Sequence, residues 1–479
     1  MLAARPAALA VLVAALVAAL VGAALTAGTA AASAPSTCQG RTPTVVGSTG
    51  TEGDDVMVVV ASDGTTAQAL GGDDTICIAA SPEGGFRSVT VDAGSGDDSV
   101  VNESADVEAV WYTTVLGTGA DSYVGLEADI PDSPDASPFY ETVFTGGQDP
   151  RDEGVGGQLD ADVDVVDTRG GDDVVHSGTT AAGAANNDVV RTGAGDDTVN
   201  WAGEQRGAPA LDLGPGDNLL ALHPGWQGTS ADVDARASHA TVDGRTVLRW
   251  VGPVRTFYLR LDHRVQSFVG SVADEELVAP AVDGLVGSGP VVERSIAMGK
   301  GDDTLGLYSP TSGSVDGGPG RDTFAGGDCL DAQVRVGGSF TCSASRDGET
   351  MRSFRFDHFE EFALQGRDVT VVGSGRAEVI KVAATTRVRI DGRGGDDVLI
   401  ADAPFRSRVA RPVVVEGGAG ADRLLGGAAR DRLLGGRGDD TLVGRANRDD
   451  LLGGAGRDRA VGQPGRDRCV AEVRRSCER

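Results

Sequence analysis

Aspartate recurs every nine residues near the C terminus, at Asp422, Asp431, Asp440, Asp449, Asp458 and Asp467, each five residues after a glycine. The six units read GGAGADRLL, GGAARDRLL, GGRGDDTLV, GRANRDDLL, GGAGRDRAV and GQPGRDRCV, without insertion from Gly417 to Val470. Glycine tolerates positive φ, so Gly417-Gly418-x-Gly420 can curl its main-chain carbonyls towards one point. Carbonyls beside a fixed carboxylate are hard oxygen donors, the set that calcium takes at six to eight positions. The alternative is a plain glycine turn whose aspartate is solvated.

These donors need a scaffold. The last three residues of each unit suit a short strand whose middle side chain (Leu424, Leu433, Leu442, Leu451, Ala460, Cys469) faces inward. One unit is then half a coil. Two units, 18 residues, return the chain to the same side, so alternate turns stack and an ion fits between them.

The units resemble the RTX (repeats-in-toxin) nonapeptide GGxGxDxUx, whose family forms a parallel β-roll with calcium between stacked turns. The resemblance covers Gly417 to Val470. It implies Asp422, Asp440 and Asp458 as carboxylate ligands, joined by main-chain carbonyls of Gly417, Ala419, Gly435, Arg437, Gly453 and Ala455. Units starting at Gly417, Gly435 and Gly453 keep GGxGxD; those starting at Gly426, Gly444 and Gly462 carry Ala429, Arg445, Asn447 or Gln463 where glycine is expected. All intact turns should therefore share one edge, with about two ions. On the other edge Asp431, Asp449 and Asp467 are weaker candidates, and Arg430, Arg448 and Arg466 would pair with them in place of metal.

The same turn chemistry recurs upstream at wider spacing, as in Gly94-Ser95-Gly96-Asp97-Asp98, Gly170-Gly171-Asp172-Asp173, Gly193-Ala194-Gly195-Asp196-Asp197, Gly299-Lys300-Gly301-Asp302-Asp303 and Gly394-Gly395-Asp396-Asp397. Paired aspartates offer carboxylates and carbonyls together, so Asp98, Asp173, Asp197, Asp303 and Asp397 are secondary metal candidates. Few have a matching turn 18 residues away, and otherwise they are solvated Asp-Gly turns. Final aspartates at 55, 74 and 98, then 173 and 197, are one parallel β-helix coil apart. Flanking segments such as Val89-Thr90-Val91 and Val398-Leu399-Ile400 alternate like strands, and no convincing amphipathic helix follows the N-terminal region. The fold class expected is all-β, a parallel β-helix or β-roll solenoid throughout the mature chain. Its expected parts are an acidic solenoid at 38–220, degenerate coils with inserted loops at 221–416, the nonapeptide roll at 417–470 and a tail at 471–479. Solenoid coils contact only their neighbours, which lets so long a chain avoid separate globular domains.

Residues 1–32 read as a cleaved secretory signal, with Arg5, an apolar run from Ala7 to about Leu25 and small residues up to Ala34. An uncleaved anchor is the alternative; no later apolar run is long enough to span a bilayer. A secreted, extracellular location follows, and six cysteines then suggest disulfides, paired between neighbours as Cys38–Cys77, Cys329–Cys342 and Cys469–Cys477. RTX proteins commonly leave without such a signal, so here the repeats point to calcium-driven folding instead of an export address. Net charge is −29, yet residues 417–479 hold 13 Arg against 10 Asp and Glu, so the acidity lies in the body. Such a body disfavours nucleic acid and anionic membranes and favours cations.

Catalytic signatures are missing: there is no HExxH, no GxSxG, and His176, His223, His239, His263 and His358 show no zinc spacing. His358 between Asp357 and Glu360 reads as a structural polar cluster. The function expected is a secreted calcium-binding structural or surface protein and not an enzyme. A polysaccharide lyase or epimerase, or a glycan-binding adhesin with a cell-surface or extracellular polysaccharide as partner, are the alternatives. Aromatics concentrate near 220–295 and 325–390, where a partner face would be sought; ordinary core packing is the competing explanation.

Overall fold

The computed structural model describes residues 37–477 except 46, 63, 80–86, 105–109, 126–139, 146–162, 208–210, 262, 280–291, 308–310, 344–349 and 402–410. The signal expected at 1–32 lies outside the described residues. Among these, all regular structure is strand, and most strands pair in parallel with the next-but-one strand. Val56–Val60 pairs with Thr75–Ala79, which pairs with Ser99–Asn102, while Thr65–Gln68 pairs with Arg87–Asp92. Two sheets, A and B, are therefore wound by one chain, A beginning at Val56–Val60 and B at Thr65–Gln68. The fold is an all-β solenoid, as its alternating strand pattern implies.

Inward side chains stack in columns along the axis. Leu399, Leu424, Leu442 and Ala460 stand in register in sheet B, and Leu433, Leu451 and Cys469 in sheet A, all buried. Each buried aliphatic side chain contributes about 1.5–3 kcal/mol. The ladders run through positions 220 and 416 without a break.

Among the described residues two antiparallel meanders interrupt the winding, both in sheet A. Ser230–Asp234, His239–Val242 and Arg245–Val251 form an antiparallel meander inside one coil; Arg245–Val251 stacks on Leu211–Asp212 and Ser230–Asp234 on Val265–Val269. The second meander combines the end of Thr323–Arg335 with Ser339–Ser343 and Thr350–Asp357. Each adds two strands to sheet A, about 10 Å of width at the usual strand spacing. Aliphatic side chains cannot fill the wedge this opens in the core, and aromatics do. Trp250, Phe257 and Phe268 form one edge-on chain; Phe324 packs against Phe340, Phe354, Phe356 and Phe359 in the other. These aromatics near 220–295 and 325–390 are thus core residues of inserted strands, and they form no exposed aromatic face among the described residues.

Disulfides close both ends. Cys38–Cys77 ties the first described segment to Thr75–Ala79, and Cys469–Cys477 ties the tail to Arg468–Val470. Cys342 is also bonded, but the side chain of Cys329 lies outside the described residues.

Candidate metal centre

The turns that lead into sheet B are the intact ones. In these, Gly436 and Gly438 both have φ near +121°, and a Cβ on them would lie 2.1 Å from the Gly418 oxygen and 2.0 Å from the Gly420 oxygen. No L side chain tolerates either condition. Glycine here lets one turn aim its carbonyls along the axis into the next turn.

The sixth-place aspartates form a buried file on this edge. Asp397 N–H donates to Asp422 Oδ1 (2.9 Å), Asp422 N–H to Asp440 Oδ1 (2.9 Å) and Asp440 N–H to Asp458 Oδ1 (3.0 Å). The second oxygen of each is buried with no hydrogen-bond partner. Such an atom carries a desolvation cost that nothing in the protein offsets. The first glycine of each unit shows where that oxygen points. A Cβ on Gly417 would meet Asp422 Oδ2 at 2.3 Å and the Gly435 oxygen at 2.7 Å; on Gly435 it would meet Asp440 Oδ2 at 2.3 Å and the Gly453 oxygen at 2.5 Å. Carboxylate and carbonyl therefore converge on a space that only glycine leaves open. Burial, with Asp422, Asp458 and Asp439 nearby, pushes Asp440 up to about 6, and burial pushes Asp422 upward too.

This donor set fits calcium. Carboxylate oxygens of Asp422, Asp440 and Asp458 and main-chain carbonyls of Gly417, Gly435 and Gly453 would hold it. It would supply positive charge to a file of like charges and link one coil to the next. The carbonyls of Ala419, Arg437 and Ala455 already accept N–H from Gly395, Gly420 and Gly438 (2.9, 2.8 and 2.8 Å), leaving each one lone pair. Among the described residues no three His, Cys, Asp or Glu side chains converge as a metal group. Main-chain oxygen must supply most of any site.

The opposite edge of the roll is built differently. Arg445, Asn447 and Gln463 adopt left-handed φ of 77°, 77° and 70°, well short of the glycine values opposite. Gly427 N–H donates to Asp431 Oδ2 (2.7 Å), and the Asn447 amide donates to the Ala428 carbonyl (2.6 Å), taking oxygens a cation would need. Asp449 and Asp467 keep an unpartnered Oδ2, while Arg430 and Arg448 are exposed. Arginine pairing, expected from the sequence, does not satisfy Asp449. The aspartate precedes an inward-facing strand and is drawn inside, whereas the arginine before it points to solvent.

Upstream turns stack as well, at separations wider than the 18 residues of the roll. Asp74 N–H donates to Asp98 Oδ1 across 24 residues, Asp173 N–H to Asp197 Oδ1 across 24, and Asp303 N–H to Asp322 Oδ1 across 19. Length added elsewhere in a coil leaves turn stacking intact, so a fixed 18-residue rule was too strict. Their interiors differ, however. Thr168 and Thr192 hydroxyls donate to the carbonyls of Thr192 and Leu213, and the Asn218 amide donates to Leu213, Gly214 and Pro253 oxygens. Protein donors thus stand where a cation would. Beside Asp98 and Asp303 the open glycine is replaced by buried Ala93 and Met298, and burial raises these carboxyls to about 8 and about 7.

The first aspartate of each GDD doublet, read in the sequence only as part of a carboxylate pair, has a separate place in the fold. Asp54, Asp73 and Asp97 accept N–H from Asp73, Asp97 and Ala120, and Asp172, Asp396 and Asp439 do likewise from Asp196, Ala421 and Arg457. A second, exposed carboxylate file thus runs beside the buried one. The doublet itself was the signal. His358 pairs with exposed Asp316 (2.7 Å), which raises its basicity, and its φ is +56°.

Comparison with protein families matches the model of the RTX calcium-binding nonapeptide repeat (4 copies) at residues 178–200, 416–451 and 443–472. The chain carries RTX repeats, and such repeats bind Ca2+. Comparison with curated proteins gives no match. No helix among the described residues is long and apolar enough to cross a membrane.

Proposed function

We propose that this is a secreted structural or surface protein whose roll folds on calcium held by Asp422, Asp440 and Asp458 with the carbonyls between them. The observation that carries this reading is the row of buried, unpartnered Oδ2 atoms facing carbonyl oxygens across an open glycine. A folded state that leaves these groups unsatisfied is costly, and the metal's binding energy becomes folding energy. Extracellular calcium, about 10⁻⁴–10⁻³ M for modules of this kind, suits such sites. Asp431, Asp173 and Asp197 lie in turns already supplied with protein donors, so they are assigned structural roles; Asp98 and Asp303, crowded by an alanine and a methionine, rank below the roll. Asp449 and Asp467 share the open first glycine but sit in turns where Arg445, Asn447 and Gln463 replace glycine, and they also rank below it.

What supports a scaffold more than an enzyme is that, among the described residues, Trp226, Trp250, Phe257, Phe354, Phe356, Phe359 and Phe362 are buried in the core. The test is a calcium titration of the full chain, followed by circular dichroism. Strand signal should rise with calcium and fall with chelator. A chelator-insensitive spectrum refutes the reading, and release of products from uronic-acid polymers would favour the lyase alternative.

A further inference from the structure

We propose that the cation array begins one coil before the nonapeptides, with a calcium ion held between turn 392–397 and turn 417–422. This rests on the reading of the roll as a calcium site but assigns a site outside the repeats. Four features of the roll recur at this junction. Asp397 is 1% exposed, and its Oδ2 has no partner. Its N–H donates to Asp422 Oδ1 at 2.9 Å, the link that joins Asp422 to Asp440. A Cβ on Gly392 would lie 2.4 Å from Asp397 Oδ2 and 2.7 Å from the Gly417 oxygen, against 2.3 and 2.7 Å for Gly417 and its neighbours.

The axial carbonyls match too. The Arg393 oxygen would stand 2.1 Å from a Cβ on Gly418, and the Gly395 oxygen 1.9 Å from one on Gly420. Arg393 sits at φ of 69° where the intact repeats have glycine at larger φ, and its carbonyl still comes as close to Gly418 as the Gly418 oxygen comes to Gly436. Strand register also continues across the junction, Arg393 against Gly418 and Gly394 against Ala419. Upstream the array stops for a visible reason. The next carboxylate in the file is Glu378, whose longer side chain turns back to accept the Ser374 N–H and hydroxyl. That carboxylate is already satisfied.

The residue order marks Asp397 as a candidate but not its partner turn, since Asp397 and Asp422 are 25 residues apart and not 18. Its consequence is mechanical: a cation here fastens the roll to the acidic body. The experiment compares calcium stoichiometry of the full-length wild type, Asp397→Asn and Asp440→Asn, with hydrogen exchange of 413–419 as a second readout. Asp397→Asn keeps an oxygen to accept the Glu378 N–H and removes only the charge. It should bind about one calcium ion fewer than wild type, and exchange at 413–419 should quicken in calcium but not in chelator. Should Asp397→Asn misfold, Gly392→Ala asks the same question by placing a methyl group in the open space. An unchanged ion count in Asp397→Asn or Gly392→Ala, with Asp440→Asn reduced, overturns the junction site alone. Unchanged counts in all three overturn the calcium reading of the roll with it.

Discussion

Replacing Gly436 by alanine is the sharpest probe of the turn geometry. Its φ of +121° lies where only glycine is at ease, and the new methyl would sit 2.1 Å from the Gly418 oxygen. Holding alanine in that backbone region costs about 1–3 kcal/mol. Relieving the contact must also push two coils apart, straining the flanking bonds from Gly420 N–H to Arg437 O and Gly438 N–H to Ala455 O, both 2.8 Å. These contribute about 1 kcal/mol each, so the total destabilisation is about 3–5 kcal/mol. The same place in the next unit is Arg445, which already sits at φ 77°. Arg445→Gly removes about 1–2 kcal/mol of left-handed strain while adding about 0.5–1 kcal/mol of unfolded-state entropy, leaving stability near wild type or slightly above. Solenoids need not unfold in one step, so hydrogen exchange across 417–470 in saturating calcium is the assay, with urea melts alongside. If Gly436→Ala exchanges like wild type, or Arg445→Gly loses as much as Gly436→Ala, the distinction between the two edges is wrong.

Three further outcomes follow from the same geometry. In chelator, stability should rise as pH falls from 8 to about 6.5, by about 1.4 kcal/mol per pH unit for each proton taken up on folding. The sign follows from burial, which lifts Asp98 to about 8 and Asp303 to about 7 in the body upstream of the roll, so the stability they contribute is lost as pH rises through those values. Below that window buried His176 and His223, pushed down to about 4, act oppositely; melting temperatures flat across the window would contradict the assignment. Leu442→Ala opens a cavity in a fully buried column and should cost about 2–5 kcal/mol in urea melts in saturating calcium. Asn218→Ala strips an amide from three carbonyls and should destabilise the coil at 211–222 by about 1–3 kcal/mol, read by local hydrogen exchange; an effect abolished by calcium would mean that metal, not the amide, fills that turn.

Much of the architecture was legible in residue order. Glycine at fixed places, aspartate at the sixth and an aliphatic at the eighth are local requirements, and local requirements survive in a one-dimensional pattern. Hence the solenoid, the two edges of the roll and the inward columns of Leu424, Leu433, Leu442 and Leu451 were all readable. The exposed aspartate file was less so, because the doublet marks its members within each turn but their bonds run to the neighbouring coil.

Sequence alone determined that one edge of the roll has intact glycine turns and the other does not, since backbone freedom belongs to the residue itself. Tertiary structure decided which carboxylates lack a partner. Asp431 looks like Asp397 and Asp440 in the chain, yet a main-chain N–H fills its Oδ2; at Asp197 the Oδ2 is as unpartnered as theirs, and it is the neighbouring Leu213 carbonyl that a threonine hydroxyl occupies. Those donors come from stacking and turn shape, and they separate a turn that can take a cation from one already satisfied. Tertiary structure also decided the fate of the aromatics, because only the added width of two inserted meanders turned Phe324 and Phe257 into wedges of the core.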